Sequence, residues 1–542
     1  VGGVLAGCTL INLPGAMAQA VPGGTLDPLS IPKYVTPLVI PPVLHDDGGT
    51  PAGPQDPPFE VALRQITQQV LPSGFPATPL WAYGDPGRPG TFNNPGFTVE
   101  VTKDTMTQVV WRNELVVDPT MCNNNKVKFV TGQGQGGGTA QEIACNYLPH
   151  IIKDMNGDPV VDQTLHWAAP NQDCLDGIPR TDCRGASDQP YMGPVPMVTH
   201  VHGAHVGPVS DGYPEAWWLP AANNVPLGYA ASGTFFDDLS PGNSNRGDRG
   251  FAMFEYSNDQ PTTTLWYHDH SLGMTRLNVY AAGAGFWLIR DANDGETGLV
   301  SGTLPGPAPR AGNTAAGLNT PGNPVRRAVR EIPIAIQPKS FNADGTQYYP
   351  ADRAFFEGLG TGGIFADNTD VNIPFLPQAS SDISPVWNPE AFFNTMVVNG
   401  RTWPQLEVAS ERYRLRFVNA SDSRFLNLAL RVVNPDGSLG AELPFYQIGS
   451  EQGLLPAVVR IETGFATTLP GDGSDVGSGV TPVPGTFDEQ ALLMGPAERP
   501  DVIVDFTGLP DGTVVRVINT APDAPFGGFP ELPADPDTTG QV

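Results

Sequence analysis

An all-β chain folded as Greek-key β-sandwiches is what this sequence predicts, and three observations predict it. Glycine (63) and proline (58) punctuate all 542 residues while charged residues make up only 16%, a balance that favours short strands and long turns over helices. The segment FTVEVTKDTMTQVVWRNELVV alternates apolar and polar positions with β-branched residues, as half-buried strands do. Beyond residue 324, REIPIAIQPKSF, NTMVVNGRTWPQLEVASERYRLRFVNASD, LPFYQIGSEQGLLP and ERPDVIVDFTGLP give a second set of strand and turn signals, which suits another sandwich.

In chain order, residues 1–20 are apolar, uncharged and end in the small-x-small pattern Ala18-Gln19-Ala20. They read as a truncated signal peptide, so the chain is expected to be exported to the periplasm, the cell surface or the medium. Leu5-Ala6-Gly7-Cys8 offers an alternative, a lipoprotein-type cleavage site. No other apolar run is long enough to span a bilayer. Residues 21–90, rich in Pro and Gly with runs such as YVTPLVIPPVL, suggest an extended N-terminal arm. A first domain is expected over 91–300, with a hairpin turn around Lys103 and Asp104. Residues 301–324 are nearly half turn formers without periodicity and read as a linker, followed by a second domain over 325–542. VVWRNEL in the first domain and YRLRFVNAS in the second hint at two copies of one design.

The formal charge of −27 carries no basic run; nucleic acid and anionic membranes are unlike partners, because phosphate binding needs clustered Lys and Arg. Of five cysteines, Cys122, Cys145, Cys174 and Cys183 crowd one window. In an exported chain they favour disulfides, Cys122 with Cys145 and Cys174 with Cys183 being the local pairing, over a thiolate metal site, since no histidine lies within two residues of any of them.

Eight histidines are all the chain has, and two His-x-His pairs, His200/His202 and His268/His270, hold half of them. Side chains alternate along a strand, so each pair shares a face with Cα atoms about 6.5–7 Å apart. Four neutral imidazoles converging from two neighbouring strands would form a site for copper, zinc, nickel or iron. His205 breaks the alternation and is expected in a loop; His45, His150 and His166 are isolated and read as structural. Asp211 in the turn SDG is a candidate proton relay or an ordinary turn residue. Asp269 should face away from the flanking histidines and support them indirectly. Met274 reads as core, and Met192, Met197 and Met253 are too dispersed to form a methionine path.

HVHGAHVGPVSDGYPEAWW and TLWYHDHSLGMTRLNVYAAGAGFWLIRD resemble the first two copper motifs of multicopper oxidases, on the bacterial spore-coat laccase and bilirubin oxidase branch. MVVNGRTWPQLEV, YRLRFVNASDSRFLNLAL, QIGSEQGLLP and GPAERPDVIVDFT resemble that branch's second domain in order, so the likeness covers roughly residues 95–542. The resemblance implies tandem cupredoxin-like sandwiches, two present and a third missing. It also implies a laccase-like oxidase that takes single electrons from a phenolic or similar aromatic substrate, or a metal ion, and reduces dioxygen to water. By position, His200 would ligate a type 2 copper, and His202, His268 and His270 a type 3 pair.

The family's two remaining motifs, His-x-x-His-x-His and His-Cys-His-x-x-x-His, do not occur: no cysteine follows Cys183 and no histidine follows His270. On that resemblance the type 1 copper site is absent, the cluster is present in part, and a third domain is expected in cis or in trans. Two rival readings are a non-enzymatic cupredoxin-like scaffold or copper-binding module, and a hydrolytic zinc site with Glu215 as base.

Overall fold

A computed structural model describes residues 26–44, 59–119, 145–153, 191–227, 229–239, 250–291, 304–310, 313–349, 393–462, 492–519 and 521. The first sandwich uses β1 (Val43–Leu44), β2 (Phe59–Gln68), β3 (Thr78–Gly84), β4 (Gly96–Thr102), β5 (Thr107–Asn113), β6 (Thr199–His202), β7 (Phe251–Tyr256), β8 (Thr263–Asp269) and β9 (Ala284–Arg290). They form one sheet in the order β1-β4-β9-β8-β6 and a facing sheet β3-β2-β5-β7. Inward residues of both sheets, among them Leu63, Trp81, Trp111, Val99, Leu265, Tyr267 and Trp287, make one buried core. Removing such aromatic and aliphatic side chains from water is the main stabilising term, roughly 1.5–3 kcal/mol for each fully buried aliphatic or Phe residue.

The second sandwich uses β10 (Glu331–Ile336), β11 (Ser340–Phe341), β12 (Gln347–Tyr348), β13 (Val397–Val398), β14 (Arg401–Thr402), β15 (Arg412–Asn419), β16 (Leu426–Val433), β17 (Leu439–Leu443), β18 (Phe445–Ser450), β19 (Gly453–Ile461), β20 (Leu492–Met494), β21 (Asp501–Asp505) and β22 (Val515–Asn519). Its large sheet runs β14-β13-β10-β15-β21-β18-β19, faced by β17-β16-β20 with β22 on β16. The all-β expectation stands.

The two sandwiches repeat one plan. β2 is antiparallel to β3 and parallel to β5, which is antiparallel to β7. β10 is likewise antiparallel to β13 and parallel to β15, which is antiparallel to β21. VVWRNEL falls on β5 and YRLRFVNAS on β15, at equivalent places.

Three expectations are corrected. The turn at Lys103 and Asp104 exists, with Asp104 at φ 59°, but it closes no hairpin. β4 pairs with β1 and β9, and β5 with β2 and β7, so the chain crosses from one sheet to the other. The 21–90 stretch is only partly an arm. Residues 59–68 and 78–84 are β2 and β3, the latter buried along nearly its whole length and so without the alternation that marks a strand in sequence. Within the expected linker, Ala315–Asn319 is helical, capped by Thr314 and seated on buried Leu318.

Residues 34–44 strap the two halves together. Tyr34 N donates to Trp403 O and Leu38 N to Gln405 O, both at 2.8 Å, before Val43 and Leu44 join the first sandwich beside β4. Cys145 is disulfide-bonded; residues 1–20 and Cys122, Cys174 and Cys183, with the pairings expected of them, lie outside the described residues. Among the described residues no helix is long and apolar enough to cross a membrane.

The outer face of β8 and β9 packs on the large sheet of the second sandwich. Trp266 and Phe286 meet Val418 and Ala420 there, which is why β8 and β9 are buried on both faces. Beside them lies a charged cluster. Glu331 Oε1 accepts from Arg290 Nη1 at 2.6 Å and from Arg416 Nε at 2.8 Å, Arg290 also pairs with Glu100, and Arg414 grips Asp501 with contacts of 2.5–3.1 Å. Glu100 and Arg290 belong to the first sandwich, the other four to the second.

Candidate metal centre

β6 and β8 are antiparallel neighbours with His200 opposite His268 and His202 opposite Trp266. The alternation of the strands places Thr264, Trp266 and His268 on one face and turns Leu265, Tyr267 and Asp269 toward the first core. All four paired histidines come together. His200 stacks on His270 with ring centroids 4.8 Å apart, and His202 Nδ1 lies 3.3 Å from His268 Nε2. His200, His202 and His268 each offer a nitrogen within 4.8 Å of the others. His270 sits one residue beyond β8, its amide bonded to Val198 O at 2.7 Å.

Backbone carbonyls orient the rings. His200 Nδ1 is 2.6 Å from Asp211 O, His268 Nδ1 2.7 Å from Asp269 O, and His270 Nδ1 3.1 Å from Gly212 O. A carbonyl only accepts, so each Nδ1 carries the hydrogen and each Nε2 keeps its lone pair for a metal. The 211–212 turn comes this close to β6 because residue 212 is glycine. It has φ +82°, and a Cβ would stand 2.4 Å from Thr199 O and 3.0 Å from His200 Cα.

Burial pushes His202 down to about 4, aided by the nearby Arg499 guanidinium, and holds His268 well below and His270 below the usual imidazole value. These rings are neutral, the state that ligates metals. Their folded values lie below the unfolded value of about 6.5, so the unfolded chain binds protons that the folded one refuses. The stability involved is present above about 6.5 and is lost as pH falls toward each folded value. In the metal-free chain the His202 ring resonances are therefore expected not to titrate between about pH 7 and 5; a midpoint near 6.5 would contradict the burial.

Asp269 is fully buried and accepts from Val198 N at 3.1 Å, Ser271 N at 2.9 Å, Ser271 Oγ at 3.1 Å and Asn278 Nδ2 at 2.8 Å. Burial raises its carboxyl to about 6 against these bonds. It faces away from the rings, as expected, and ties down the backbone on either side of the site. Asn278 in turn receives His150 Nε2 at 3.1 Å, and His150 Nδ1 accepts from Ile152 N at 3.1 Å. Burial lowers His150 to about 3, a satisfied core histidine.

Asp211 is half exposed, its Oδ1 3.3 Å from His200 Nδ1, and the hydrogen bond to His200 lowers its carboxyl. His205 lies in the loop after β6 beside Asp259, away from the cluster. Met274 is buried core. Glu215 binds the Tyr213 hydroxyl, so nothing ties it to the cluster as a hydrolytic base. His45 and His166 lie outside the described residues. Sequence reasoning missed Trp266, whose ring stands 4.3 Å from that of His268, and Arg499. The first was signalled by its place two residues before His268; the second lies in GPAERPDVIVDFT, where nothing in the residue pattern marks it out.

Paired His-x-His strands at the rim of one of two tandem Greek-key sandwiches define the class of fold and site. A laccase of Bacillus stratosphericus is 26% identical over 487 residues, 90% of this chain and 62% of that protein. A laccase of Bacillus subtilis (strain 168) is 26% identical over 464 residues, 85% of this chain and 57% of that protein. Among solved structures, the McoA multicopper oxidase 2F4 variant from Aquifex aeolicus is matched over 91% of this chain and 63% of its own, at 16% identity and a TM-score of 0.46. No family model matches. The chain spans about three fifths of the length of these laccases. By these sequence matches the chain is similar to laccases and other multicopper oxidases.

Proposed function

We propose that the chain is part of a copper-dependent, laccase-like oxidase that couples one-electron oxidation of a small-molecule or metal-ion donor to reduction of dioxygen to water. The observation that carries this reading is the convergence of four imidazoles, His200, His202, His268 and His270, in one cluster. The donor set fits copper: all-imidazole sites suit it. Two nitrogens each about 2.0 Å from one ion at a tetrahedral angle stand about 3.3 Å apart, which is the spacing of His202 Nδ1 and His268 Nε2. In this reading His200 holds a type 2 copper, and His202, His268 and His270 contribute to a type 3 pair.

Bound copper would supply the electron-transfer chemistry. The protein's own part is to keep His202, His268 and His270 neutral, to fix His200 and His270 against the carbonyls of Asp211 and Gly212, and to place the ionised Asp211 carboxylate as a proton acceptor between solvent and His200. The remaining ligands, those of a type 1 copper among them, come from a further domain, in cis or in trans. Export is part of the proposal, and the disulfide at Cys145 supports it, because such bonds persist in oxidising compartments.

Copper stoichiometry with optical and EPR spectra on this chain tests the reading. Copper bound through histidine nitrogens without a blue band is expected, the blue band arising only once the complementary domain is supplied. A chain that takes up no copper ends the proposal.

A further inference from the structure

The turn after His202 is held from both sandwiches. Gly203 has φ +90°, and a Cβ there would come within 2.6 Å of Arg499 Nη2 and 3.0 Å of Leu265 Cδ2. Its carbonyl accepts from Gln260 Nε2 at 2.8 Å, and Gln452 of the second sandwich packs on the same pair, 3.4 Å from Gly203 O and 3.2 Å from Gln260. Arg499 reaches over from the segment between β20 and β21. Its Nε donates to Thr264 O of β8 at 3.1 Å, its Nη1 to Ala497 O at 3.0 Å and its Nη2 to Glu451 O at 3.2 Å, while its amide donates to Glu451 Oε1 at 3.0 Å. One guanidinium thus presses on the end of β6, is bonded to β8, and is anchored in the second sandwich.

We infer that Arg499 is a positioning residue for the histidine site: it pins the ends of β6 and β8 so that His202 and His268 keep the separation a shared metal needs. Sites of this kind tolerate about 0.5 Å of error in ligand placement. The planar fork of arginine serves three carbonyls in fixed directions, where an ammonium would act as a point charge. Arg499 is no ligand, so its effect passes through Gly203 and Thr264. The inference rests on the copper reading for its purpose, not for its geometry.

A purely electrostatic role predicts the opposite sign. Taking a positive charge away from beside a cation site should tighten Cu(II) binding, whereas loss of the brace should loosen it. Cu(II) affinity is measured by chelator competition for the chain as it stands, for Arg499→Ala, and for Gly203→Ala, which displaces the guanidinium with its charge intact. Both variants are expected to bind Cu(II) about 10-fold or more weakly, within the range seen when supports of metal-ligating histidines are removed, with altered copper EPR hyperfine splitting. Unchanged or tighter binding by Arg499→Ala overturns the inference.

A second readout needs no metal. The His202 ring 15N resonances of the copper-free chain should shift in both variants, and resonances that stay in place overturn the inference equally. If Arg499→Ala fails to fold by circular dichroism, Gly203→Ala and Gln452→Ala decide. If the unsubstituted chain takes up no Cu(II), the copper reading falls and the ring resonances still decide whether Arg499 positions His202.

Discussion

Replacing His268 by alanine is expected to abolish specific copper uptake by this chain while both sandwiches remain folded. His268 is the hub of the cluster: it stands opposite His200 in the ladder, its Nε2 is 3.3 Å from His202 Nδ1, and it is the most buried of the four. Losing a support of a metal-ligating histidine costs about 10–100-fold in affinity, so loss of this ligand should exceed about 100-fold. The stability change should be that of an ordinary buried truncation, about 1–3 kcal/mol. The matched control is His205→Ala, whose ring lies outside the cluster and whose removal should leave copper binding as it was. Chelator competition with urea unfolding separates the two effects. If His268→Ala keeps its copper and His205→Ala loses it, the site has been misassigned.

The second large effect belongs to Glu331. Its carboxylate lies among Arg290, Arg414 and Arg416, all fully buried, and Glu100 and Asp501 complete a balance of three cations and three anions. Glu331→Gln keeps the shape and removes the charge. It should destabilise the chain by about 3–5 kcal/mol, because a buried guanidinium left without its counter-charge is far costlier than the intact pair is favourable. Since the cluster joins the two sandwiches, the loss should appear as separation of one cooperative unfolding transition into two. A midpoint in urea that moves by less than about 1 kcal/mol equivalent, with the single transition kept, would show that the cluster is solvated or dispensable.

How much was legible in the sequence depended on the range of the interactions involved. The His-x-His pairs could be placed on one face because alternation is a local property of a strand, and the convergence of two pairs followed from their rarity. The crossing at Lys103 and Asp104 could not be told from a hairpin, because the residues that decide it are the distant partners of β4 and β5. β3 was lost inside a Pro- and Gly-rich stretch because both its faces are covered and TPLWAYG does not alternate in burial. Arg499 was invisible as a functional residue, since its partners are backbone carbonyls of Thr264, Glu451 and Ala497. Main-chain acceptors leave no mark in a residue pattern.

The shared strand plan of the two sandwiches has a consequence for how such a chain can change over generations. All described ligand candidates sit in the first copy, and no histidine follows His270. The second copy is therefore expected to be constrained chiefly where it grips the first, at Glu331, Arg414, Arg416, Gln452 and Arg499. Substitutions should accumulate freely on its far sheet, around β17 and β22, and slowly along the face that meets β8 and β9. One strand plan used twice thus leaves the described ligand candidates in one copy and the side chains that brace them in the other.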